Sequence, residues 1–159
     1  MKHNMFCFQC EQTAGCTGCT GRAGVCGKQA DTANLQDALT GALIALARTI
    51  QGKQTVSAKI SKQILDGLFT TVTNVNFNDV TIQQRIDAIH RELPAGTADY
   101  DMKKVWDAQE DIRSLKSLIL FGIRGMAAYA YHAMILGYTD AQLDVFFVKA
   151  LCAVGEDTW

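Results

Sequence analysis

The chain is poor in the features that mark several common protein classes. Its 159 residues include one proline, Pro94, and three histidines. There is no Ser/His/Asp arrangement, no Walker loop and no Rossmann glycine fingerprint, so the sequence offers no hydrolase triad and no nucleotide cradle. Charge of neither sign dominates: 15 Lys and Arg stand against 16 Asp and Glu, a net charge of −1. No basic field is present to recruit nucleic acid or an anionic membrane. No segment alternates convincingly as a β-strand would, and there is no internal repeat or low-complexity tract. The opening Met1-Lys-His-Asn-Met5 lacks an apolar signal core. The expectation is a cytoplasmic chain, whose thiols would ligate metal rather than pair as disulfides.

What is abundant is cysteine, and it is concentrated. Cys7, Cys10, Cys16, Cys19 and Cys26 fall within twenty residues, interleaved with Gly15, Gly18, Gly21, Gly24 and Gly27. Only Glu11 and Arg22 carry charge between the first and last of these cysteines. A stretch so short of apolar side chains cannot build a core, and makes sense if an inorganic centre replaces one. Residues 1–30 are therefore expected to be a loop around a metal site, and 31–159 a helical bundle, one domain overall.

The apolar fraction of 48% and charged fraction of 19% suit a soluble globular domain. The rest of the chain reads as helices. Asp31 or Thr32 can cap a first helix whose Leu35, Leu39, Leu43, Leu46 and Ile50 form an apolar stripe, ending at Gly52. Ser57 caps a second, ending near Thr73. A third begins at Asp79 or Thr81 and stops at Pro94, with 95–101 as the one stretch resembling a linker. A fourth starts near Met102. A fifth runs from about Ser114 to Leu136, and a sixth from a Thr139 cap to Gly155. The fold class is all-α, a helical bundle with an N-terminal Cys/Gly-rich loop.

The apolar run 118–136 contains Arg124, and a central Arg costs roughly 2.5–3.5 kcal/mol on membrane insertion. It is read as a buried helix of a soluble bundle, with Gly122 and Gly125 allowing a neighbouring helix to approach. Arg124 is expected to be a buried structural cation with a carboxylate or carbonyl partner, and His132 a hydrogen-bonded core residue. Tyr129, Tyr131, Met126 and Met134 read as core packing, Cys152 as a small core residue, and His3 and His90 as surface positions. Leu143, Phe146, Phe147, Ala150, Leu151 and Val154 form the apolar face of the last helix.

Thiolates are soft ligands that suit iron–sulfur clusters, zinc and copper(I). Spacing alone leaves three chemistries open. A compact thiolate run without accompanying histidine favours an iron–sulfur cluster. Two Cys-x-x-Cys knuckles, Cys7/Cys10 and Cys16/Cys19, could hold zinc, although five residues separate them rather than the roughly 15–20 of a zinc ribbon. A thiol–disulfide motif is the third, with no βαβ pattern around it.

The stretches Met5-Phe-Cys-Phe-Gln-Cys-Glu-Gln-Thr-Ala14, Gly18-Cys-Thr20 and Gly24-Val-Cys-Gly-Lys28 closely resemble the N-terminus of the hybrid cluster protein (prismane, hydroxylamine reductase) family. Thr32–Asp37, Thr73–Phe77, Asp111–Leu115, Phe121–Tyr129 and His132–Tyr138 are similar to its helical first domain. The resemblance implies that Cys7, Cys10, Cys19 and Cys26 bind one iron–sulfur cluster, with Cys16 a spare thiol. The eight-residue gap between Cys10 and Cys19, judged against the family, argues for 4Fe–4S over 2Fe–2S. It further implies an oxidoreductase of anaerobes that reduces hydroxylamine at a second, hybrid cluster in later α/β domains. Ligands for that cluster are not expected here. The chain is thus expected to transfer electrons between a redox donor and those missing C-terminal domains or a separate catalytic chain, without turning over substrate alone. Apolar surface left uncovered would favour self-association. The competing reading is a zinc-stabilised helical interaction module.

Overall fold

The computed structural model describes residues 7–10 and 18–158, and those residues form six helices. They are α1 (Ala30–Thr49), α2 (Ala58–Thr70), α3 (Asp79–His90), α4 (Lys103–Trp106), α5 (Glu110–Ile135) and α6 (Ala141–Gly155). The fold is all-α, as the apolar periodicity indicates.

The helix starts follow capping chemistry. The Ser57 side chain accepts from the Ile60 amide, as expected. Asn78 and Asp140 cap α3 and α6 in the same way, each a residue away from the positions the sequence suggested. α1 starts at Ala30 with no side-chain cap, because the loop delivers the chain straight into it.

α1 is the axis of the fold and packs against α2, α3 and α6. Its sequence reads as a one-sided stripe, yet every residue from Leu39 to Ala47 is buried. The small residues explain this. Gly41, Ala42, Ala45 and Ala47 let neighbours close in on the sides that Leu39, Leu43, Ile44 and Leu46 do not fill. A Cβ on Gly41 would lie 2.3 Å from the Tyr100 carbonyl oxygen. The Tyr100 amide donates to the Gly41 carbonyl at 3.2 Å, so the 95–101 stretch runs tightly along α1. Each buried Leu or Ile stabilises the fold by about 1.5–3 kcal/mol relative to exposure.

α5 behaves differently. Lys116, Leu120, Ile123, Arg124 and Ala127 face inward, at spacings of three and four that make one stripe against α2 and α6. Its other faces are open: Leu118 is 67% exposed and Tyr129 83%. The reading of 118–136 as a buried helix therefore holds for one stripe only. Met126 and Tyr129 are surface rather than core, as is Phe146 on α6. Among the described residues, no atom beyond the local helix backbone lies within 4 Å of a Cβ built on Gly122 or Gly125, so no described helix approaches there. Apolar residues surround α5, and only one side of it meets packed elements among the described residues. By length and composition it is also the one described helix that could cross a membrane, with 28% of its most apolar window buried.

Candidate metal centre

The loop is tied down by a few specific contacts. Cys7 and Cys19 exchange both backbone hydrogen bonds, Cys7 N–H to Cys19 O at 3.1 Å and Cys19 N–H to Cys7 O at 2.9 Å. Such a directly opposed antiparallel pair brings two Cα atoms to about 5.5 Å. Gly18, directly before Cys19, takes φ +84°, a left-handed conformation that suits glycine. A second turn follows Cys26. Gly27 N–H donates to Gly24 O, Gly24 N–H donates to Lys28 O, and Gly27 takes φ +85°. Behind Cys7 and Cys19 lie Ala30 and Ala33 at the start of α1, a small apolar backing.

Cys19 is buried, Cys7 and Cys10 are half-buried and Cys26 is exposed, and all four are free thiols. The fold thus pairs two of the four anticipated ligands. Among the described residues, no three His, Cys, Asp or Glu side chains are grouped closely enough to hold a metal ion. Cys16 and His3 lie outside the described residues. Cys152 sits in the core between α6 and its neighbours, as its mid-helix spacing suggested.

One buried charged side chain at the loop escaped the sequence reading. Lys28 is 1% exposed, and its ammonium donates to Gln36 Oε1 at 2.6 Å and Gln9 Oε1 at 2.9 Å. The Cys7 Sγ lies 3.7 Å away, and the Phe77 ring centroid 5.8 Å. The available signal was a lysine directly after Cys26-Gly27 in a stretch nearly free of charge. Gln9 is in turn fixed by the Thr73 hydroxyl, which donates to its carbonyl at 2.9 Å, and Gln36 Nε2 donates to Asn76 O at 2.9 Å. The Thr73–Phe77 turn, with Asn74 at φ 64°, thus clamps the loop onto α1.

The buried polar groups continue inward. Arg124, 5% exposed, donates to Thr71 Oγ1 at 3.0 Å and Thr40 Oγ1 at 3.1 Å. It is the buried structural cation expected, but hydroxyls rather than a carboxylate or carbonyl receive it. Nearby, Asp37 accepts from Trp106 Nε1 at 2.8 Å. Burial pushes the Asp37 carboxyl up to about 6, against the opposing pull of the Trp106 hydrogen bond, Arg124 and Lys28. Burial also raises the Cys7 thiol, and Lys28 pulls it back. His132 is exposed and edge-on to Phe69 and Tyr131, so it is not a core histidine. His90 is on the surface against Asp99 at 2.9 Å, as anticipated.

These residues fit a thiolate-bound centre in kind: soft donors, a small apolar backing and a buried cation whose one anion-forming neighbour within hydrogen-bond reach, among the described residues, is a cysteine sulfur. The arrangement defines a helical domain with a thiol-rich end.

Residues 5–159 match the Prismane/CO dehydrogenase family, to which the chain belongs. Its relatives include the hydroxylamine reductase of Desulfitobacterium hafniense (strain Y51), 36% identical over 98% of this chain and 34% of that protein. The hydroxylamine reductase of Desulfovibrio desulfuricans is 37% identical over 99% of this chain and 34% of its own length. That of Methanococcus vannielii is 35% identical over 96% and 34%. The chain thus spans about a third of the length of these relatives.

Proposed function

We propose that this chain is an electron-transfer domain of a hydroxylamine reductase-type oxidoreductase, holding one 4Fe–4S cluster through Cys7, Cys10, Cys19 and Cys26. The observation that carries the reading is the Cys7–Cys19 pair with Lys28 sealed against the Cys7 sulfur. A buried cation without a counter-charge is costly, by several kcal/mol, and a thiolate-ligated centre supplies that counter-charge. When bound, the cluster accepts and releases single electrons. The chain's own residues order the loop, exclude water on the α1 side and present the Cys26 edge to solvent, where a redox donor could approach. Residues 1–30 act as the cluster loop, with 31–159 as its scaffold.

The substrate-reducing centre lies, on this reading, in the two thirds of the relatives' length that the chain does not span. Alone, the chain does not reduce hydroxylamine. We place it in the cytoplasm. α5 turns Lys116 and Arg124 inward to partners on neighbouring elements, which suits a helix of a soluble assembly.

Anaerobic purification followed by iron and sulfide analysis tests the proposal. The expected result is iron and acid-labile sulfide in equal amounts, with a visible band that bleaches on reduction. A colourless chain with one zinc would overturn it. Retention of the band in Cys16→Ser and its loss in Cys26→Ser would sustain the ligand set.

A further inference from the structure

Among the described residues, Lys28 is a buried cation at the thiol end with no carboxylate at hydrogen-bond distance. An ammonium has three N–H donors. Here they find two neutral amide oxygens, of Gln9 and Gln36, and the sulfur of Cys7. The ion pairs among the described residues involve Lys59, Lys62, Arg85, His90 and Lys104, and none includes Lys28. The second deeply buried cation on this side, Arg124, is likewise held by hydroxyls. Asp37 is the single carboxylate that acts on this group from α1. Among the described residues, buried positive charge at this end therefore exceeds buried negative charge, and the Lys28 ammonium lies 3.7 Å from the Cys7 sulfur.

We infer that Lys28 is a positioning and tuning residue: clamped by Gln9 and Gln36, its ammonium holds the Cys7 ligand in place and favours the reduced state of the bound centre. The inference rests on the cluster reading above and deepens it. Reduction adds one electron from the external donor, no covalent bond breaks, and the ligated centre becomes more negative by one charge. A fixed ammonium at 3.7 Å from a ligand sulfur in a low-dielectric pocket stabilises that extra charge more than water would. Opposite charges at such range shift ionisation equilibria by about ten- to a thousandfold. The same sign applies to an electron equilibrium. Gln9 and Gln36 contribute differently: they fix the ammonium without cancelling it, as a carboxylate would.

The test is a mediator-coupled redox titration of the purified chain, followed optically, on the wild type, Lys28→Met and Gln36→Leu. Lys28→Met should favour the oxidised form by at least about tenfold, a drop of about 59 mV for one electron. Gln36→Leu loses a clamp but keeps the charge. It should unfold at lower temperature while its potential stays close to that of the wild type. Equal potentials in wild type and Lys28→Met would overturn the inference while leaving the cluster proposal standing. A wild-type chain without iron and sulfide would instead overturn the cluster proposal itself. If Lys28→Met fails to retain the cluster, Lys28→Arg decides. Retention with Arg shows that a positive charge is required, and loss with Arg as well shows that Lys28 serves shape alone.

Discussion

Two lysines are buried among the described residues, and they are satisfied in different ways. Lys116 on α5 is 3% exposed, and its ammonium donates to the Glu156 carbonyl just past the C-terminus of α6 at 2.5 Å. A helix C-terminus carries partial negative charge. Asp157 and Glu156 add theirs, working against a burial that lowers the Lys116 pKa. Lys28 has no helix end and no carboxylate at hydrogen-bond distance among the described residues, only two amides and a thiol. The scaffold at α6 answers its cation from within. On the cluster proposal, the thiol end leaves its cation to be answered by the group that the cysteines bind. A buried charge that its scaffold leaves incomplete beside thiols is a candidate site, and Lys28 is one.

The largest effect expected from breaking this contrast is loss of the centre itself. Cys7→Ser and Cys19→Ser should each abolish iron and sulfide binding, whereas Lys116→Met should retain full metal content. Metal analysis after anaerobic purification checks all three. Equal loss in Lys116→Met would erase the distinction between the two ends.

Asp37 sharpens the electrostatic side. Its carboxyl rises from an ordinary 3.8 to about 6 on folding, so the folded chain binds the proton more tightly than the unfolded chain. Stability from this group is full below pH 3.8, falls as pH rises through about 6, and is absent above. The span corresponds to at most about 3 kcal/mol. Asp37→Asn keeps an acceptor for Trp106 and should flatten that part of the pH–stability curve, read by denaturant unfolding of the metal-free chain from pH 4 to pH 7. A curve as steep as that of the wild type would assign the pH dependence to another group.

The two faces of the bundle give the same contrast in packing. Gly41→Ala drives a methyl into the Tyr100 carbonyl and should cost about 1–3 kcal/mol by overpacking. Gly125→Ala meets nothing and should stabilise α5 by up to about 1 kcal/mol. Thermal denaturation of the pair measures both signs. Smallest in stability is the open α5 face: Leu118→Glu should leave the unfolding midpoint within experimental scatter but suppress concentration-dependent self-association in sedimentation velocity. Self-association unchanged by Leu118→Glu would place the contact elsewhere.

The six helices were legible in the sequence because apolar spacing and caps such as Ser57 act locally. Enclosure was not. The Leu39–Ala47 stretch of α1 and the apolar run of α5 look alike as strings of Leu, Ile, Ala and Gly, yet every residue of the first is buried and the second is covered on one side. That difference is set by which elements arrive from elsewhere in the chain. Gly41 and Gly125 make the point: the same residue type in a helix is a contact in one place and open surface in the other. At the site, the thiols stood out by composition, but Lys28 did not. Its role depends on Gln9 and Gln36, which the turn at Thr73–Phe77 brings together with it.

The measurement that bears most directly on the central claim is the iron and acid-labile sulfide content of the anaerobically purified chain, set beside its visible spectrum before and after reduction. Equal iron and sulfide, a band that bleaches, and loss of both in Cys7→Ser, Cys10→Ser, Cys19→Ser and Cys26→Ser are expected. Zinc in place of iron, or iron that survives Cys7→Ser, would contradict it.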